Sequence, residues 1–183
     1  MFENSFNHSS PQFKELSKEE AFAQKETLMS IAMIAYSNLF KNTISKENFQ
    51  VFEANNSSVE MWDKLLEMSH CFVCLENQQI IGAAYFIPSG KPSKHFDKKW
   101  AYIRMLGVLP KAANKGIGRK LTMMCIQKAK DLQESTIALH TSEVQVAARH
   151  IYESMGFKIF KQIENIYDVR YWVYTKDLKV TEI

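Results

Sequence analysis

Two glycines one residue apart, Gly116 and Gly118, are followed at once by Arg119 and Lys120, where an apolar run gives way to a helical pattern. Glycine lets a backbone approach an anion closely, and the unpaired N–H groups of a helix's first turn carry partial positive charge. That is chemistry for a phosphate or pyrophosphate. The dinucleotide pattern G-x-G-x-x-G fails because Leu121 holds its third glycine position, and no G-x-x-x-x-G-K-[ST] runs through Gly116 or Gly118. An ordinary glycine turn with solvated Arg119 and Lys120 is the plain alternative. Downstream, Ile151-Tyr152-Glu153-Ser154-Met155-Gly156-Phe157 reads as a helix that ends on glycine and passes directly into a strand. Taken alone, Tyr152 would be a packed core aromatic.

In this order, the turn Ala113-Asn114-Lys115-Gly116-Ile117-Gly118 and the later helix end resemble the signature of the GNAT superfamily of acyl-CoA-dependent N-acyltransferases. That signature is a Q/R-x-x-G-x-G/A turn opening a helix, then a helix closing in L-Y-E-x-x-G-F. The match covers about residues 71–178. The resemblance implies an α/β fold whose central mixed sheet is flanked by helices and splayed between its fourth and fifth strands, the ones ending at Val108 and His140. It implies acetyl-CoA as cosubstrate, with pantetheine along the backbone of Leu106, Gly107 and Val108. The pyrophosphate would rest on the amides of Asn114, Lys115, Gly116, Ile117, Gly118 and Arg119. Tyr152 falls at the general-acid position, to reprotonate the leaving thiolate, and a backbone amide near Leu106 would polarise the thioester carbonyl. Two departures stand out. Ala113 replaces the usual Gln or Arg, removing a side-chain contact while leaving the amides, and Gln145 replaces a frequent Asn.

An amine acceptor that is protonated at neutral pH must lose a proton before it attacks. The strand Tyr102-Ile103-Arg104-Met105-Leu106 offers no carboxylate or histidine for this, which leaves water, or His140 and Glu143 at the mouth of the next strand. Each has a plainer reading: His140 as a hydrogen-bonded strand end, Glu143 as a helix-start charge. Cys125 lies on an apolar helical stripe, so direct attack in a ternary complex is expected over an acyl-cysteine route. Cys71 and Cys74 have C-x-x-C spacing but sit in an apolar run whose odd offset points them to opposite faces of a strand. No structural metal is expected.

The elements that must position these groups follow from periodicity. Residues 18–40, free of Gly and Pro, read as one or two helices. Ser57 with Glu60 reads as a capping box opening a helix toward His70. Residues 71–75 and 80–87 read as a hairpin across Glu76-Asn77-Gln78-Gln79, and residues 88–99 as a surface loop long enough to overhang a neighbouring site. Strand and helix then alternate: strands at 102–109 and 136–140, helices at 117–132 and 144–155, and closing strands at 157–163 and 171–175. The stripe of the 117–132 helix includes Leu121, Cys125, Ala129 and Leu132.

Composition bounds the rest. Of 183 residues, 46% are hydrophobic and 23% charged, with six Gly and four Pro, which excludes collagen-like and disordered polymers. The 23 Lys and Arg against 20 Asp and Glu are dispersed, so no nucleic-acid partner is expected, and the four lysines of the 88–99 loop read as solvated. No apolar run approaches the roughly 20 residues of a bilayer span. The first eleven residues lack a signal-peptide apolar centre, so a cytoplasmic protein without a membrane partner is expected. Residues 1–12 read as a mobile leader and 13–183 as a single GNAT-like acetyltransferase domain, monomeric or homodimeric. The function expected is N-acetylation of a primary amine on a small molecule or peptide. A silent acyl-CoA-binding or partner-binding module on the same fold is the alternative. Trp62, Phe96, Trp100 and Trp172 are available to an acceptor pocket but read first as core.

Overall fold

Apolar runs and stretches of helical period resolve, in the computed structural model, into seven strands and six helices over the described residues, 10–91 and 93–179. An edge strand β1 (Gln12–Leu16) leads into α1 (Lys18–Ala23), α2 (Lys25–Phe40), α3 (Lys46–Asn56) and α4 (Val59–Met68). Then follow β2 (His70–Glu76), β3 (Gln79–Ile87), β4 (Ala101–Val108), α5 (Ile117–Asp131), β5 (Thr136–Ser142), α6 (Val146–Ser154), β6 (Lys158–Ile166) and β7 (Val169–Asp177).

Local chemistry explains the boundaries. Ser17 and Glu20 form a reciprocal capping box that starts α1. Asn77 and Gln78, both at positive φ, make the two-residue turn between β2 and β3. The expected box at Ser57 and Glu60 is not formed. Ser58 caps α4 by accepting from the Met61 N–H, Ser57 instead closes α3 by donating to the Glu53 carbonyl, and Glu60 pairs with Lys64. With two serines in a row, the one whose backbone is extended takes the cap. Leu132, placed on the α5 stripe by periodicity, is exposed because it lies just past the last helical turn. Of the leader reading, residues 1–9 lie outside the described residues, and Gln12 belongs to β1, which pairs with β2.

The sheet order is β1-β2-β3-β4-β5-β7-β6, antiparallel except for β4 and β5. That single parallel contact is short: it joins Ala101 to Ile137 and Tyr102 to Ala138 and goes no further. Beyond it β4 stays with β3 as far as Val108 and β5 stays with β7 as far as Ser142, so the two strands diverge toward their C-terminal ends. One face of the sheet is packed by α5 and α6 through Ile117, Leu121, Cys125 and Tyr152, the other by α1, α2 and α4 through Leu28, Ile31, Trp62 and Leu65. Cys74 and Cys71 lie in these two cores respectively, on opposite faces as the spacing required. The core of the sheet thus fixes both walls of the gap that opens between β4 and β5.

Candidate active site

At the end of β4 a 3-10 turn, Pro110–Ala112, leads into a loop in which Asn114 and Gly116 are both left-handed, with φ of 61° and 75°. Gly116 is the N-cap of α5, and no side chain caps that helix. A first turn left without a side-chain cap is an anion site by electrostatics. The approach is open: a Cβ at Gly116 would meet nothing within 4 Å. A Cβ at Gly118 would meet only Ile151 Cδ1 at 3.6 Å and Leu106 Cδ2 at 3.7 Å, so β4, α5 and α6 converge on this turn. Arg119 is held across to α6, donating from Nη1 to Ser154 Oγ at 2.7 Å, and Lys115 faces Glu76 at 3.4 Å.

In β4, Ala83 opposes Gly107 and Tyr85 opposes Arg104, so Met105 and Leu106 together face Ala84 alone. This is a bulge, and Met105 takes a φ of 51° within it. The Leu106 carbonyl accepts from the Tyr36 hydroxyl of α2 at 3.1 Å, which fixes the bulged strand to the helix above it. A cavity of about 480 Å³ is bounded by β4 through Tyr102, Arg104 and Leu106, by β5 through Leu139 and His140, and by Tyr152 of α6. The 88–99 loop does overhang it. His95 and Phe96 line the cavity, while Lys94 pairs with Glu164 of β6 and Trp100, just past the loop, meets Phe160 of the same strand edge-on, tying the stretch to β6.

Tyr152 and His140 therefore share one cavity, whereas Glu143 does not line it. Tyr152 is buried, and that burial pushes its phenol well above the usual range, with Tyr36 and Cys125 adding to the effect. The Glu143 carboxylate accepts from the Arg170 backbone N–H, Nε and Nη2, and those bonds hold its pKa low. His140 is enclosed by His95, Phe96 and Tyr171, and its Nδ1 has no hydrogen-bond partner among the described residues. Burial, then the charges of Arg104 and His95, lower its pKa to about 3.

A lowered histidine pKa means the folded state prefers the neutral ring. The stability it contributes is complete above the unfolded value near 6.5 and is lost as pH falls from there toward 3. His140→Gln should flatten the acid side of the stability curve, measured as the urea unfolding free energy between pH 7 and pH 4. Parallel curves for the two proteins would remove this account of His140.

The sequence matches the family model described as the acetyltransferase (GNAT) family over residues 31–157, more than half of the chain. The chain belongs to that family. Human N-acetyltransferase 8B (Homo sapiens) is 30% identical to it over 95 residues, which are 51% of this chain and 41% of the human protein. The chain thus matches less than half the length of that relative. Among solved structures, the PaiA N-acetyltransferase of Thermoplasma acidophilum, in complex with coenzyme A, superposes with a TM-score of 0.70 at 17% identity, covering 92% of this chain and 99% of that one. YncA of Salmonella typhimurium, with its cofactor acetyl-CoA, does so at 0.63 and 16% identity, over 96% and 98%. At those identities the likeness is one of fold, and the mixed sheet with a parallel β4 and β5 is that of the GNAT proteins.

Within this GNAT domain the departures noted in the sequence have local explanations. Gln145 turns back so that its Oε1 accepts from the Ser142 N–H and Oγ, both at 3.0 Å, bracing the passage from β5 to α6. Ala113 is exposed beside the turn. Of the four aromatics open to a pocket role, Phe96 lines the cavity and Trp62 is fully buried core. Trp100 meets Phe160 of β6 edge-on, and Trp172 lies under the guanidiniums of Arg149 and Arg170. Tyr36, His95 and the aromatic wall of Phe40, Phe52, Tyr167 and Tyr171 carry no motif that marks them in the sequence, and Arg104 is visible there only as part of its strand. The signal for Arg104 was present: a charge in the middle of an otherwise apolar strand.

Proposed function

We propose that this GNAT-family protein transfers the acetyl group of acetyl-CoA to a primary amine by direct attack, with both substrates bound together. The observation that carries the proposal is the divergence of β4 from β5 beside an α5 N-terminus that no side chain caps. When bound, acetyl-CoA supplies an acetyl group already activated as a thioester. The amides from Asn114 to Arg119 hold the pyrophosphate, and the β4 edge at Leu106, Gly107 and Val108 pairs with pantetheine, leaving the acyl end beside Tyr152. The bulge at Met105 and Leu106 turns backbone groups out of the ladder, where one N–H can polarise the thioester carbonyl.

Tyr152 is the proton donor to the departing sulfur. The burial that raises its pKa also disfavours a bare thiolate in the same dry cleft, so donor and leaving group are matched. His140 and Glu143 are poor proton acceptors here. One is held neutral with a weakly basic ring and the other is saturated by Arg170. The amine's two protons therefore leave through water, one to solvent and one back to Tyr152 to replace the proton it gave the sulfur, with His140 accepting a hydrogen bond from that water or from the amine.

The absence of a strong base among the described cavity residues favours one second reading, an acyl-CoA-binding module without transfer. Release of free thiol from acetyl-CoA, followed across amino acids, polyamines, aminoglycosides and lysine peptides, separates the two. Acceptor-dependent release supports transfer. Tight acetyl-CoA binding by calorimetry with no release for any acceptor supports the silent module.

A further inference from the structure

The walls of the 480 Å³ cavity have an uneven chemistry. Aromatic rings dominate, among them Phe40, Phe52, Tyr102, Tyr167 and Tyr171, and no aspartate or glutamate among the described residues lines it. Its two formal positive charges differ in their commitments. Lys94 is already paired with Glu164, while Arg104 makes no ion pair and no side-chain hydrogen bond among the described residues. Asn55 and Asn56 are also engaged, their Nδ2 groups donating to the Tyr167 hydroxyl and the Phe52 carbonyl. Arg104 lines the cavity together with His95, His140, Tyr36 and Tyr102, and its charge acts on all four.

An unpaired guanidinium in an aromatic cavity is a recognition group for a planar anion, since its fork matches a carboxylate with two parallel hydrogen bonds. The same cavity is unfavourable to a polycation, which finds no carboxylate to replace its hydration and meets a like charge. We infer that the acceptor is an amine carrying a carboxylate and an apolar or aromatic body, an amino acid or a close derivative, with Arg104 binding the carboxylate and the rings binding the body. This rests on the acetyl-transfer reading of the site and narrows its acceptor from amines in general to anionic ones, excluding polyamines and aminoglycosides.

The test compares ligands that differ only in that charge. Enzyme loaded with coenzyme A is titrated calorimetrically with N-acetylated phenylalanine, tryptophan and leucine, and with the carboxamide of each. N-acetylation removes differences in amine basicity between the members of a pair. At least one carboxylate should bind about tenfold or more tightly than its carboxamide. Arg104→Gln should abolish the preference and Arg104→Lys restore part of it, both without changing coenzyme A affinity. Raising salt should weaken the carboxylate more than the carboxamide. Equal binding within every pair, tighter binding of the carboxamides, or no binding of any pair by enzyme that holds coenzyme A normally, overturns the assignment. So does discrimination that survives in Arg104→Gln. Failure of coenzyme A itself to bind would instead remove the acetyl-transfer reading on which this one stands.

Discussion

Tyr152→Phe should lower kcat by about 10²- to 10⁴-fold, the range typical for removing a positioned general acid, while leaving acetyl-CoA affinity within about twofold. The reason lies in what the substitution keeps. Tyr152 is buried against Phe157, with ring centroids 5.9 Å apart, and belongs to the core that α5 and α6 share. Phenylalanine retains that ring and its contacts. Only the hydroxyl goes, and the hydroxyl makes no side-chain hydrogen bond among the described residues, so the fold loses little. The pH dependence supplies a second reading of the same experiment. Because burial raises the phenol's pKa, Tyr152 stays protonated across the working range and should impose no falling limb on the rate up to about pH 10. The limb that remains is a rise with pH as the amine loses its proton. Steady-state kinetics of both proteins from pH 6 to 10 check this. Unchanged turnover in Tyr152→Phe would take Tyr152 out of the chemistry and leave it as core packing.

The sequence carried some of this site and hid the rest for identifiable reasons. The α5 turn was readable because glycine is conspicuous, and Gly116 does occupy a left-handed position that other residues adopt at a cost. The alternation of strands and helices after Trp100 was readable because each apolar run is bounded by polar residues. Edges were less visible. β1 has mostly exposed side chains and little apolar pattern, and its existence depends on β2 offering a free ladder. α3 contributes only Phe52 to the buried core, so its periodicity is weak, although Ser45 marks its start by accepting from the Asn48 N–H. What no spacing could reveal is convergence. Tyr36 lies 70 positions before Leu106 in the chain, yet its hydroxyl is hydrogen-bonded to that residue's carbonyl. Likewise His95 and Phe96 enter the site because Phe96 packs against Tyr102 and His140, with Lys94 anchored to Glu164. The proposed acceptor side is assembled from such long-range contacts, whereas the proposed cofactor side is the end of β4 and the one continuous loop that follows it. That difference explains why a phosphate-binding turn was legible in the residues, and acetyl-CoA through the family resemblance, while the acceptor was not.

Gly118→Glu should weaken acetyl-CoA binding by about two orders of magnitude or more, since a carboxylate placed near a pyrophosphate in a partly desolvated turn costs on the order of 3 kcal/mol. The informative comparison is with alanine at the two glycines. Gly116 has a φ of 75°, so Gly116→Ala strains the backbone by roughly 1–2 kcal/mol even though the new methyl would touch nothing within 4 Å. Gly118 is different. It sits inside the first turn of α5 at an ordinary φ, and a Cβ there would make only normal contacts with Ile151 and Leu106. Folding therefore does not require glycine at 118, and Gly118→Ala should leave stability unchanged or raise it by roughly 0.5–1 kcal/mol through helix propensity. If a ligand's phosphates rest against this turn, each added atom at 118 should cost affinity in the order Ala then Glu, with thermal stability held or improved in the alanine variant. Calorimetric titration and thermal unfolding of the three variants separate these effects. Wild-type affinity in Gly118→Glu would mean that the anion does not lie on the α5 N-terminus, and the cofactor would have to be sought elsewhere in the cleft.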